Sequence, residues 1–185
     1  MKARRSSGAP ISFDHHGSPR KGGVALLLYQ HQGVWHFPLM KRQEYPGIHS
    51  GQISLPGGKM ESFDQSLIDT ALRESHEELG LQVPIEDVVG NLSELYIIAS
   101  HFEILPVVAV MKEPPIFKPD PREVDQVLVC SLEGLMRSSS KKEIDMMVRG
   151  YDIRAPYFEI ENQVVWGATA MILNEFLVVV DEILH

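Results

Sequence analysis

One cysteine occurs in 185 residues, and Cys130 lies inside the apolar run QVLVCSL. A lone thiol excludes a disulfide framework within the chain and the common structural zinc sites, so a buried strand thiol in a reducing cytosol is the expectation. Positive charge is scarce as well: 17 Lys and Arg stand against 25 Asp and Glu, a net charge of −8. Gripping a phosphate backbone takes many basic contacts, so nucleic acid is not an expected partner. No apolar run approaches the length of a membrane span, and the N-terminal MKARRSSGAPISFDHHGSPRK is basic without the apolar core of a signal peptide. These absences predict a soluble, cytoplasmic protein without a membrane partner, although the basic N terminus is also compatible with an organellar transit peptide. Glycine loops of the dinucleotide and Walker types are missing, which removes Rossmann dehydrogenases, P-loop NTPases and kinases. The 8 histidines include no HExxH pair, so catalytic zinc is not expected either.

What is present is enough for a packed domain: 44% of the residues are hydrophobic and 23% charged. Residues 1–22, rich in Gly, Ser, Pro and basic side chains, read as an arm, and 23–185 as a single α/β domain. GVALLLYQ and VWHFPLMKR read as two strands joined by a turn at residues 31–33. YPGIHSGQISLPGG is a loop with one short extended piece. SELYIIAS, FEILPVVAVM and QVLVCSL read as further strands, with the proline-stiffened PPIFKPDPRE between the last two. LEGLMRSSSKKEIDMMV reads as partly helical, APYFEIENQVVW as a hairpin, and TAMILNEFLVVVDEIL as a closing helix that packs on the sheet. Trp35 and Trp166 sit in apolar surroundings and are expected in the core. The apolar FLVVVDEIL could bury against its own sheet or against a second copy, which leaves a homodimer open.

The stretch from Leu55 to Leu81, LPGGKMESFDQSLIDTALRESHEELGL, carries six carboxylates. A helix is expected from Ser62, on the capping-box spacing to Gln65 with Asp64 in the first turn, to a stop at Gly80. Ile68, Ala71, Leu72, Ser75 and Leu79 then fall in one sector of about 100° suited to the core. Glu74, Glu77 and Glu78, at i, i+3 and i+4, share another face and repel one another. They also stand near the C-terminal end of the helix, where the dipole disfavours negative charge. A hard divalent cation removes both objections, because Mg2+ or Mn2+ takes oxygen ligands; a solvated acidic face is the plain alternative.

This stretch resembles the Nudix box, with Gly58, Asp64, Arg73, Glu74, Glu77, Glu78 and Gly80 in register. Asp64 replaces the usual glutamate, and eight residues separate it from Arg73, one more than usual. That spacing resembles the coenzyme A pyrophosphatase branch. The upstream PLMKRQEYPGIHSGQISLPGG is similar to that branch's second motif at Leu39, Arg42, His49, Gly51, Gln52, Pro56, Gly57 and Gly58. KPDPREVDQVLV and VVWGATAMIL extend the likeness from about Val24 to Val180. Gly47 stands where the branch carries a second arginine, Met40 where it carries threonine, and Leu55 where an aromatic precedes Pro-Gly-Gly.

The resemblance implies the Nudix fold, an α/β/α sandwich with a mixed sheet. It also implies metal-dependent hydrolysis of a pyrophosphate bond in a nucleoside diphosphate linked to another moiety. For coenzyme A the products would be 3′,5′-ADP and phosphopantetheine; ADP-ribose or a nucleotide sugar is the alternative substrate, and a noncatalytic nucleotide-binding module the alternative of another class. Glu74, Glu77 and Glu78 would hold Mg2+ or Mn2+, with Glu74 a base or shared ligand and Glu123 a candidate base from outside the helix. Arg73 is expected to orient the carboxylates by ion pairing, since it falls beside Glu77 on the helix. Gly57 and Gly58 would bring backbone groups close to metal and phosphate. Arg42 either binds phosphate or is an exposed strand-end arginine, and His49 and Gln52 either line the substrate pocket or pin their loop.

Overall fold

The computed structural model describes residues 4–5, 17–44, 50–137, 141–148 and 151–185. His49 and Gly47 lie outside them. Strands β1 (Arg4–Arg5), β2 (Arg20–His31), β3 (Val34–Arg42), β4 (Ile53–Ser54) and β5 (Gly57–Lys59) precede helix α1 (Leu67–Leu79). A single 3-10 turn leads to β6 (Val88–Asn91), β7 (Leu95–Ile97), β8 (Phe102–Val110) and β9 (Val124–Ser131). Helix α2 (Leu132–Met136), strands β10 (Lys141–Val148), β11 (Tyr151–Ile160) and β12 (Gln163–Trp166), and helix α3 (Gly167–Leu184) complete the chain.

Strand β2 organises the domain because both its faces are apolar. Ala25 and Leu27 point to one side and pack with Ala71 and Leu79 of α1; Leu26 and Leu28 point to the other and pack with Ile172, Leu173 and Phe176 of α3. The two-residue period of a strand divides one apolar run between two helical layers. The result is a helix on each side of a mixed sheet, as the sequence implied. Within that sheet β2 runs parallel to β8, while β3 is antiparallel to both β2 and β9. A turn at Gln32 and Gly33, with φ of 52° and 80°, joins β2 to β3, and the two strands pair at Tyr29–His36, Gln30–Trp35 and His31–Val34. Farther from this turn β2 is bonded to β5 and β3 to β4, while β9 pairs with β3 from His36 to Arg42. The connection that enters β5 at Gly57–Gly58 (the Gly57–Gly58 loop) and the end of β3 at Arg42 both lie at that distal end.

Three expectations change. The helix starts at Leu67, not near Ser62: the Ser66 hydroxyl caps it by accepting the N–H of Asp69, and Asp64 belongs to the turn before it. Ser62 and Ser66 both stand in this turn, so spacing alone could not choose the cap. The stretch 132–148, expected to be partly helical, is helical at α2, but its residues 141–148 form β10, antiparallel to β11, because the neighbouring strand supplies a ladder that outweighs local preference. Strand β2 begins at Arg20 and so takes in the last residues of the expected arm, and β1 from within that arm pairs with β11 at Arg4–Arg154 and Arg5–Ile153.

Candidate active site

The site is built where the Gly57–Gly58 loop lies across the middle of α1. Helix α1 ends on Gly80, whose φ of 71° is the left-handed conformation that lets its N–H return to the carbonyl of His76. Among the three glutamates of the helix, exposure falls steeply: the Glu77 side chain is 54% exposed, Glu74 15% and Glu78 1%. They therefore do not share one solvated face, as helical spacing alone suggested. Glu78 belongs to the buried face with Thr70, Ala71, Ser75 and Leu79.

A buried carboxylate needs donors. Oε2 of Glu78 accepts the N–H of Gly57 at 2.8 Å, and Oε1 lies 3.4 Å from Nη2 of Arg42. The same Arg42 nitrogen donates to the Gly57 carbonyl at 3.0 Å, so Arg42 braces loop and glutamate together. Even so, burial pushes the Glu78 carboxyl up to about 8; Arg42 and the Gly57 N–H counteract this, while Glu74 and Glu123 add to it. Burial likewise raises Glu74, opposed by Arg73 and reinforced by Glu77 and Glu123. Glu74 lies against Gly58, where a Cβ would meet its carboxylate at 2.5–2.6 Å.

Arg73 is held on all sides. Its Nε and Nη2 donate to the two oxygens of Asp64 at 2.9 and 3.0 Å, a bidentate pair, and Nη2 also donates to the Lys59 carbonyl at 3.1 Å. Nη1 reaches Glu77 at 2.7 Å and Glu74 at 2.8 Å. The exposed ring of Phe63 covers the guanidinium, 5.5 Å from its carbon. Arg73 thus pairs with three carboxylates at once, Asp64, Glu74 and Glu77. Asp64, which carries this arrangement, is missed by a search for metal ligands alone; its signal in the sequence is its place as the motif's acidic residue ahead of the arginine. The carbonyl of Gln52 accepts the N–H of Arg42. Glu123 is exposed, at the start of β9, and its charge acts on both Glu74 and Glu78.

Among the described residues, no three acidic, histidine or cysteine side chains are gathered closely enough to hold a metal ion as they stand. The donor chemistry nevertheless fits a hard divalent cation: all candidates are carboxylate oxygens, and two of them lack enough positive charge for their burial. Concavities of about 510 Å3 beside His36, Ser131 and Glu159, and about 430 Å3 beside Leu72, His76 and Val83, are lined by none of the candidate site residues. No helix among the described residues is long and apolar enough to cross a membrane.

Fold and site together define a mixed-sheet α/β/α domain with a carboxylate centre at a loop–helix junction. The NUDIX domain family model matches residues 19–150. The chain is 32% identical over 176 residues to Nudix hydrolase 22, chloroplastic, of Arabidopsis thaliana, covering 91% of this chain and 57% of that protein. It is 35% identical over 153 residues to the mitochondrial coenzyme A diphosphatase NUDT8 of Mus musculus, covering 81% and 68%. A MutT/nudix family protein from Enterococcus faecalis has the same fold, with a TM-score of 0.63, 17% identity and coverage of 92% and 66%. The chain belongs to the Nudix hydrolase family, and it spans less than two thirds of the length of the Arabidopsis relative.

Proposed function

We propose that this chain is a metal-dependent pyrophosphohydrolase that splits a nucleoside diphosphate linked to another moiety, with coenzyme A or a derivative as substrate. The observation that carries the reading is the pair of desolvated carboxylates, Glu74 and Glu78, set under the Gly57–Gly58 loop with too little positive charge to balance them. A plain structural site would not keep two such groups together, since each raises the cost of ionising the other. The family membership and the relative named as a coenzyme A diphosphatase support the substrate class.

Mg2+ or Mn2+ would be held by Glu74, Glu77 and Glu78. When bound, the cation neutralises phosphate oxygens and makes water a better nucleophile. Glu77 would turn from Arg73 to take part, leaving the guanidinium on Asp64 and Glu74. Glu74, mostly buried and raised, serves as base or shared ligand, and Glu123 is a carboxylate outside the helix suited to take a proton from water. Arg42 keeps Glu78 and the loop in place; with one nitrogen already shared between them, it is a brace before it is a phosphate ligand. Gly58 leaves room for the Glu74 carboxylate. Gln52, and His49 outside the described residues, are assigned to the pocket.

Gly47, in place of the branch's second arginine, favours keeping ADP-ribose or a nucleotide sugar as the second substrate reading. A cytoplasmic location rests on the sequence expectation alone, since the relatives include chloroplastic and mitochondrial proteins. The test is turnover with Mg2+ or Mn2+ over coenzyme A, ADP-ribose, nucleotide sugars and nucleoside triphosphates, beside Glu77→Gln. Coenzyme A turnover that collapses in the variant is expected. Undiminished turnover in Glu77→Gln would remove the metal assignment, and no turnover of any diphosphate would leave a nucleotide-binding module.

A further inference from the structure

Glu123 is the candidate base that comes from outside helix α1, and the turn that delivers it is organised by Asp120. Oδ1 of Asp120 accepts the N–H of Arg122 at 2.9 Å, and its two oxygens hold the Arg122 guanidinium at 2.6–3.1 Å. The Asp120 carbonyl accepts the N–H of Glu123 at 3.1 Å and that of Val124 at 2.9 Å. Its own N–H donates to the carbonyl of Glu78 at 2.9 Å. Asp120 is thus bonded through its main chain to both Glu78 and Glu123.

Neighbouring bonds fix the same geometry. The N–H of Lys118 donates to the carbonyl of Leu79 at 2.8 Å, and from the end of β3 the N–H of Gln43 donates to the carbonyl of Glu123 at 3.0 Å. The last carbonyls of a helix have no partner within it. Using two of them to hang a loop sets the position of that loop along the helix axis. Local side-chain bonding by Asp120 then sets the direction in which the chain leaves it.

We infer that Asp120 is a positioning residue for pyrophosphate hydrolysis: its turn, hung from the C-terminal end of α1, sets Glu123 against Glu74 and Glu78. Its carboxylate touches no reacting group; it acts through the residue three positions on. The inference rests on the hydrolase reading above and on Glu123 taking part in turnover.

Asp120→Ala, Asp120→Asn and Asp120→Glu, each alone and Asp120→Ala also in a Glu123→Gln background, are assayed on coenzyme A and ADP-ribose with Mn2+, with melting temperatures recorded. Asp120→Ala is expected to lower kcat about ten- to a hundredfold with KM within about twofold, as a misplaced group does. Asp120→Asn still offers an oxygen to the Arg122 N–H and should recover to within about threefold of the parent. Asp120→Glu keeps the charge but shifts it by a methylene, and should fall with the alanine variant; it carries the comparison if the alanine variant does not fold. In the Glu123→Gln background Asp120→Ala should add no further loss. A full additive loss there, parental kcat in Asp120→Glu, or parental kcat in Glu123→Gln itself would each overturn the assignment. Failure of the underlying reading shows separately, as undiminished turnover in Glu77→Gln; an inactive parent overturns both.

Discussion

The N–H of Gly57 donates to Oε2 of Glu78 at 2.8 Å, although 21 positions separate the two residues along the chain. This bond closes the loop onto the helix and gives the most buried site carboxylate one of its two stabilising partners. The other is Arg42, which spans both.

Glu78→Gln keeps the shape of that side chain and removes its charge. In the absence of divalent metal, its melting temperature is expected to equal or exceed that of the parent, because an incompletely balanced buried charge is costly to hold. Turnover should fall about a hundredfold or more, the size of effect seen when a preorganised charge partner is lost. Thermal melts in EDTA beside kcat measurements check both halves. A melting temperature well below the parent's would mean that the Arg42 pairing outweighs the cost of burial.

Gly57→Ala and Gly58→Ala are expected to fail in different ways. At Gly57, φ is 151° and a Cβ would stand 2.4 Å from the backbone carbonyl of Gly23, so the fold must yield, at a cost of about 2 kcal/mol or more. At Gly58 the added atom meets the end of a side chain, the Glu74 carboxylate, at 2.5–2.6 Å. That variant should stay folded and lose about tenfold or more in kcat through displacement of Glu74. Urea midpoints and steady-state rates separate the cases; equal stability losses would refute the distinction.

Asp64 gives an acid limb to stability. Hydrogen bonds from Arg73 are the main cause that holds its carboxyl down to about 2 from 3.8, against burial, with the Glu61 N–H and the Thr70 hydroxyl adding to the effect. A carboxyl lowered on folding contributes stability that is fully present above its unfolded value near pH 4 and is lost as the pH falls through 2. Asp64→Asn should therefore lower the urea midpoint at pH 6 and flatten the decline between pH 4 and 2. An unchanged decline across that window would assign the acid sensitivity to other groups.

Gly80→Ala tests the seam between helix and loop. Gly80 has φ of 71°, and a Cβ there would lie 2.7 Å from that of Lys118 and 3.0 Å from its carbonyl oxygen. The substitution should cost about 1–3 kcal/mol of stability and, by pushing the loop off α1, also lower kcat. Equal kcat in a destabilised variant would separate the loop contact from turnover.

Sequence by itself determined most of the framework, because the signals involved are local or periodic. The apolar run of β2, the exact span Val34–Arg42 of β3, the stop at Gly80 and the β11–β12 hairpin all follow from strand periodicity and turn chemistry. The carboxylate motif was legible for the same reason, as spacing on one helix. Tertiary structure alone decided which carboxylate is buried, because helical angle fixes direction but not what covers it: Glu78 is enclosed by a loop and an arginine brought from Gly57 and Arg42. It also made a strand of residues 141–148, where pairing with β11 satisfies the backbone whatever the local preference. And it brought Asp120 to the end of α1, since the free carbonyls of Glu78 and Leu79 find donors in whichever segment the fold lays beside them.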